Sequence, residues 1–416
     1  MMPLNIRVGF FLALRALRRA SPWTTSLIIF VMVLTFLNLV VISGILVGLL
    51  QGAVDAVRTK YTSDVIISTL SDKQYIENSQ NLLAIIRAPQ EVEAVTARYR
   101  EGGILEANYK TRKESDKPNT AAAQLVGVNP LDEEQVTHIS EDIVEGSFLS
   151  PGDYDQIVLG NYLLKQYIPI ESPAFSTLED VGVGTKIRVK VGEVTREMTV
   201  KGILKTKVDE VALRAFMVDS QFRSMIGRND GNVTEISVKL VEGADPVALR
   251  EKLMLSGVDA YAKVQTFEDA QPQAFKDIIN TFNMLGTMFS SIGLVVASVT
   301  IFIVIFVNAL TRRKFIGILK GIGIHGRAIE ISYVFQSIFY AVIGSGIGLL
   351  LVYGFLVPYF LAHPIDFPFS DGILVAPAAQ TMQRVGLLVV STIIAGYIPA
   401  WMIIRRNTLD SILGRN

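Results

Sequence analysis

Four stretches of the chain carry no charged residue over a length sufficient to cross a bilayer, which needs roughly 20 apolar residues as a helix. They run from Thr24 to Leu50, from about Ile279 to Thr311, from near Ile331 to about Leu361, and from Val385 to Ile404. The second and third exceed one crossing, so each predicts a tilted helix or one that extends past the membrane as a stalk. Between the first and second lies a long segment of ordinary composition, 51–276, which holds most of the acids. A soluble core rarely supplies four such uncharged runs. The pattern predicts a membrane protein with a large domain between its first two spans.

Alternation within 51–276 predicts a mixed α+β domain. Residues 51–60 continue the first helix as a stalk. Strands are expected at 63–69, 121–128, 155–160, 186–191, 197–204 and 234–240. Helical spacing is read at 89–98 and at 245–254, and 113–119 reads as a hairpin or loop tip. The acidic run Asp132-Glu133-Glu134 reads as a solvated face, and Asn232-Val233-Thr234 is a bare glycosylation acceptor pattern.

Charge sets the expected orientation. Arg7, Arg15, Arg18 and Arg19 precede the first span with no acid among them, Arg312, Arg313, Lys314, Lys320 and Arg327 lie between the second and third, and Arg405, Arg406 and Arg415 follow the fourth. The loop before the fourth span has Asp366 and Asp371 but neither Lys nor Arg up to Gln383. By the positive-inside rule both termini and the short basic loop are cytoplasmic, and 51–276 is outside. The first apolar run is longer than a signal-peptide core, so it is expected to stay as an anchor. Residues 4–20 place Ile6, Phe10, Leu14 and Leu17 on one helical face and Arg7, Arg15 and Arg18 on another, an amphipathic helix for the headgroup layer.

Composition narrows the chemistry. Of 416 residues 50% are hydrophobic, and mean hydropathy is +0.40. Lys plus Arg and Asp plus Glu both number 39, which gives no case for a nucleic-acid partner. With no cysteine and only His138, His325 and His363, thiolate chemistry is excluded and a zinc site has no ligand-spaced motif. No GxSxG or HExxH occurs, and GVGTK at 182–186 lacks the rest of a phosphate-binding loop. The chain reads as a non-enzyme that binds no cofactor itself. Asn38, Asn283 and Asn308 are polar groups within spans, each expected to face a helix or a cavity. None of the uncharged runs has the interior Asp, Glu or Arg of a proton relay. GxxxG spacing at Gly44–Gly48 and Gly344–Gly348 marks either a dimer seam or packing within one chain.

GIGIHG at 321–326 matches GxGxxG, yet a dinucleotide turn needs a strand before it and an acid about 20 residues on. Here a span end precedes it and the next span follows. Ile316, Ile318, Leu319 and Ile322 alternate with Lys314, Lys320 and Arg327, which predicts a short helix with an apolar and a basic side, ending at glycine.

RRKFIGILKGIGI at 312–324 resembles the loop of MacB/FtsX-type (MacB/LolC/FtsX superfamily) ABC transporter permeases, R-x-E-I-G-[IV]-L-[KR]-A-[IL]-G-A. Arg313, Ile316, Gly317, Ile318, Leu319, Lys320, Ile322 and Gly323 match, while Phe315 stands where Glu is usual and Gly321 where Ala is usual. GYIPAWMIIRRNTLDSIL at 396–413 is similar to the family's C-terminal signature, with Pro399, Ala400 and Leu413 in place. The resemblance implies an amphipathic elbow helix (1–22), spans at 23–50, 277–311, 330–361 and 384–404, and a MacB-like porter and sabre domain with stalk ends at 51–276. It adds a cytoplasmic coupling loop (312–329), an external loop (362–383) and a cytoplasmic tail (405–416). It implies that Arg313–Lys320, Ile322, Gly323 and Arg327 dock on a cytoplasmic ABC ATPase, which binds ATP and Mg. The chain would sit in the cell membrane and pair with a second copy or a paralogue. It would work with a membrane-fusion protein or an extracytoplasmic carrier on an amphiphilic substrate, such as a lipoprotein, lipid, peptide or drug. The alternative is an FtsX-like regulator that activates a cell-wall hydrolase.

Overall fold

The computed structural model describes residues 4–405 except 114–116, 169–175, 272, 364, 368–369 and 373. Leu413, Arg406, Arg415 and residues 114–116 of the 113–119 tip therefore lie outside the described residues. The chain divides into two compact units.

The helical unit comprises Met1–Gly52, Asp277–Phe367 and Asp371–Asn416. Helix α1 spans Leu4–Arg18 and α2 spans Pro22–Val57, continued by a π turn at Arg58–Thr62. Among the described residues, four helices are long and apolar enough to cross a membrane: Pro22–Thr62, Phe275–Thr311, Gly326–Ala362 and Ala378–Ile404. The first has 41 residues, about 60 Å at the α-helical rise, so it outruns a bilayer core of about 30 Å. The core of this unit gathers Met32 and Phe36 from α2, Ile301 and Ile305 from the second long helix, and Tyr340 and Leu388 from the other two. Close approach depends on missing side chains: a Cβ at Gly344 would overlap Met32 Cβ, and one at Gly348 would overlap the Phe36 ring. The expected outcome is that Gly344→Ala costs about 1–3 kcal/mol. Thermal unfolding of the full chain checks it, with Gly346→Ala, whose methyl would meet nothing within 4 Å, as the unaffected control.

The mixed unit is Ala53–Lys276 with Pro368–Ser370. Its elements, in chain order, are β1 (Val65–Ser68), α3 (Ser79–Arg87), β2 (Val92–Ala107), β3 (Asn119–Val128), α4 (Pro130–Thr137), β4 (Ile143–Gly146), β5 (Gln156–Gly160), β6 (Lys186–Val191), β7 (Val194–Leu204), α5 (Asp209–Ala212), β8 (Arg214–Val218), α6 (Asp219–Ile226), β9 (Glu235–Leu240), α7 (Pro246–Leu255), β10 (Lys263–Thr266) and α8 (Phe267–Ala270). Local chemistry starts the helices. Asn129 and Asp245 cap α4 and α7 by accepting from the N–H of Leu131 and Val247, each with proline at the next position.

The strands form one sheet in the order β10-β1-β9-β2-β3-β8-β5-β7-β4, with β6 pairing β2 and β7. Strand β2 belongs to two halves. Its start, Val92 to Arg98, pairs antiparallel with β9, and Tyr99 to Ala107 pairs antiparallel with β3. One core lies under β1, β9, α3 and α7 (Ile67, Ile86, Val238, Leu249), another under β3, β5 and β6 (Leu125, Leu159, Ile187). The opposite face of β3, β5 and β8 buries Val126, Val158 and Phe216 in a third core. Side chains alternate between faces with a period of two.

The helical spacing read at 89–98 is corrected by β2. Val95 and Tyr99 are buried in this strand, and their cross-strand partners on β9 and β3 decide the conformation, overriding local propensity.

Candidate functional site

The remaining elements are α9 (Gln273–Thr311), α10 (Arg313–Gly321), α11 (Gly326–Leu351), a π segment (Val352–Leu356), α12 (Val357–Ala362), β11 (Ile365–Phe367), β12 (Ser370–Gly372) and α13 (Ala378–Ile404). Helix α10 occupies the basic loop. Gly323, at φ 93°, turns the chain, and the Ile324 N–H donates to Leu319 O at 3.0 Å. The His325 ring nitrogen then caps α11 by accepting from the Arg327 N–H at 3.2 Å. A helix, not a strand, precedes GIGIHG, so the nucleotide-turn geometry is not there.

The periodicity of α10 splits its apolar residues in a way the expected single apolar side does not. Ile316 is 4% exposed and joins the helical core with Leu319, while Phe315, Ile318 and Ile322 are 56%, 53% and 71% exposed. At positions i, i+3 and i+7 these three share one face. Lys314 and Arg327 are exposed beside them, and the Lys320 ammonium donates to Ile404 O at the end of α13. The helix is therefore fastened on one face and presents an apolar strip with basic flanks on the other.

Gly344 and Gly348 face Met32 and Phe36 of α2 in the same chain, and Gly44 faces Leu374 and Val375. These contacts support packing within one chain; Gly48 is buried as well. Pro399 and Ala400 are buried in α13. On α1, Gly9 and Ala13 are buried while Phe10, Phe11 and Leu14 are exposed. Asn38 faces Gly293 of α9, and Asn283 lines a cavity of about 330 Å³ between α2, α9 and α13.

The mixed unit holds a buried ion network at its stalk. Arg98, 1% exposed, donates Nε and Nη2 to the two oxygens of Glu133 at 2.8 and 2.7 Å. Its Nη1 donates to Glu235 Oε1 and Ser237 Oγ at 3.1 Å, and to the carbonyl of Tyr61 at 2.9 Å. Arg214 and Arg100 each reach Glu235 at 3.1 Å, and Arg214 lies over the Tyr61 ring at 4.5 Å. Burial alone would raise the Glu235 pKa, but Arg214, Arg98 and Arg100 overcome it and hold the carboxyl at about 2. The Tyr61 hydroxyl is pushed up, first by burial and then by Glu235. One network thus ties the last turn of the stalk to β2, β8, β9 and α4. Lys60 adds the His138 carbonyl and Glu141, both at 3.0 Å. Ser63, at φ 57°, bends the chain out of the π turn into β1.

The solvated-face reading of Asp132-Glu133-Glu134 fails for Glu133, which is 1% exposed. Its partner Arg98 is 35 residues away, so no local window could show the pairing. Arg384 was missed too. It lies within the first two turns of α13 and donates to Ser43 Oγ.

Residues 25–254 match the MacB-like periplasmic core domain and residues 287–408 the FtsX-like permease C-terminal. The first match spans more than half of the chain. The chain belongs to the MacB/FtsX-type ABC transporter permeases. An uncharacterised ABC transporter permease of Methanocaldococcus jannaschii is 26% identical over 283 residues, 66% of either chain. Another, of Mycobacterium tuberculosis, is 23% identical over 236 residues, 55% of this chain and 25% of its own. The permease thus spans just under two thirds of the first relative's length and a quarter of the second's. Among solved structures, the periplasmic region of MacB from Actinobacillus actinomycetemcomitans has a TM-score of 0.37 at 16% identity, covering 55% of this chain and 97% of that one. The extracellular domain of the noncanonic ABC-type transporter YknZ from Gram-positive bacteria has 0.32 at 15%, covering 49% and 98%.

Proposed function

We propose that the permease transmits the nucleotide cycle of a separate cytoplasmic ATPase to its extracytoplasmic domain. The ATPase binds ATP and Mg and docks on α10 through Phe315, Ile318 and Ile322, with Arg313, Lys314 and Arg327 around them. The apolar strip on a helix otherwise fastened to its own unit is the observation that carries this reading, since exposed apolar surface rimmed by charge marks a protein partner. Two permeases, identical or paralogous, work as a pair. The stalk helix α2 delivers the motion to Tyr61, and the Arg98–Glu133–Glu235 network passes it to both halves of the sheet. In the family's terms the two halves are the porter and sabre lobes, with their boundary at Arg98–Tyr99 of β2. The cargo is amphiphilic, a lipoprotein, lipid, peptide or drug, handed to a membrane-fusion protein or carrier. Both termini and α10 face the cytoplasm.

The chain has no cysteine, so a single introduced one reports alone. Ile318→Cys is expected to crosslink to an ABC ATPase and to resist an impermeant maleimide applied to intact cells. Leu255→Cys, at a position 90% exposed in the mixed unit, is expected to react at once. Labelling of both from the same side would sink the proposal. Crosslinking to a cell-wall hydrolase at Leu255 would instead favour the regulator.

A further inference from the structure

A guanidinium partly buried near the start of a membrane-spanning helix, with no carboxylate beside it among the described residues, needs a reason, because taking such a charge out of water is costly. Arg384 meets that description. The cavity between α2, α9 and α13 is lined by Ser43, Asn283, Thr287, Gln380, Gln383 and Arg384, and no acid is among the described residues that line it. The Arg384 Nη2 donates to Ser43 Oγ, while Nη1 is buried and has no partner among the described residues. Leaving a buried donor unpaired is unfavourable, more so when it carries charge. The neighbouring amides and hydroxyls are neutral groups able to complete the shell of an anion but unable to balance the charge.

Depth narrows the class of anion. The uncharged run from Val385 to Ile404 has the length of one bilayer core, so Arg384 falls at its edge, at headgroup level. Apolar side chains flank the polar notch: Leu46 and Leu387 line it, and Leu387 and Val390 are exposed on the same helix. A free ion would gain nothing from those walls, whereas acyl chains would lie along them. Guanidinium suits a phosphodiester because it offers paired donors in a planar fork.

We infer that the notch is a binding site for an anionic phospholipid, whose headgroup phosphate takes the free donor of Arg384 and whose chains lie along Leu387 and its neighbours. This rests on the membrane placement of the four helices and not on coupling to an ATPase, so it is tested on the purified full chain alone. The probe is phosphatidylglycerol in nanodiscs of phosphatidylcholine, with retained lipid counted by native mass spectrometry after gentle extraction. The wild type is expected to retain phosphatidylglycerol in preference to phosphatidylcholine. Arg384→Gln is expected to weaken retention about tenfold, and Arg384→Lys to recover part of it. Gly286 borders the notch, and a Cβ there would meet only Ser43 Oγ at 3.6 Å and Leu46 at 3.9 Å. Gly286→Phe fills the space while leaving Arg384 in place, and it should lose the lipid as well. The inference is overturned if phosphatidylcholine is retained equally, if either Arg384→Gln or Gly286→Phe keeps phosphatidylglycerol at the wild-type level, or if millimolar inorganic phosphate displaces it. The last result would assign the site to a free anion.

Discussion

Arg98→Ala is expected to destabilise the mixed unit by about 3–5 kcal/mol, the usual loss when one member of a buried ion pair is removed. The substitution leaves the Glu133 carboxylate, 1% exposed, without its bidentate donor. It also takes from Glu235 one of the three arginines that hold it ionised, and from the Tyr61 carbonyl a donor at 2.9 Å. Hydrogen exchange read on peptides of β2 and β9 in the full chain measures the change. Protection within 1 kcal/mol of wild type would mean that the network carries no weight.

Acid should expose the same residues. Glu235 has its pKa lowered from 4.5 to about 2 in the folded protein. A carboxyl with a depressed folded pKa binds protons more readily when unfolded, so its stabilisation is complete above about pH 4.5 and is lost as pH falls toward 2. A shift of that size corresponds to on the order of 3 kcal/mol. In Arg98→Ala the burial of Glu235 is less opposed, its pKa rises, and loss of protection at β9 should begin at higher pH than in the wild type.

How far these features are legible in sequence depends on the distance over which each is decided. The spanning helices α2, α9, α11 and α13 follow from uncharged runs that need no partner to be read. Strands β3, β5, β6, β7 and β9 follow from alternation, which also needs only a short window. Strand β2 does not. Val92 and Val95 stand at helical spacing, and only pairing with β9 makes them a strand. Glu133 sits between two acids and reads as solvated until Arg98 is brought over it. Arg384 sits at the border between an acidic loop and an apolar run, where a charge draws no notice. In α10 the helix itself is legible, but the outward face is not. Burial of Ile316 and the Lys320 contact with Ile404 decide which apolar residues face away, and the second contact joins residues 84 apart.

That outward face makes the remaining large prediction. Phe315→Asp or Ile318→Asp should each weaken capture of the cognate ATPase by about 100-fold, since a buried anchor lost at an interface centre costs 2 kcal/mol or more and the carboxylate adds an unpaired charge. Neither change should disturb the chain itself, because exposed substitutions stay within about 0.5 kcal/mol. Ile316→Asp is the contrasting case. It puts a carboxylate into the helical core at a position 4% exposed, so the fold should fail before binding can be asked. Lys314→Ala belongs to a third class: an exposed flanking charge, its removal should slow association at low salt and matter little at high salt. Affinity of the full-length permease for the ATPase, measured alongside thermal unfolding, separates the three. An unchanged Kd for both Phe315→Asp and Ile318→Asp, in proteins that unfold like wild type, would mean that the ATPase docks elsewhere and that α10 is only a turn between two spans.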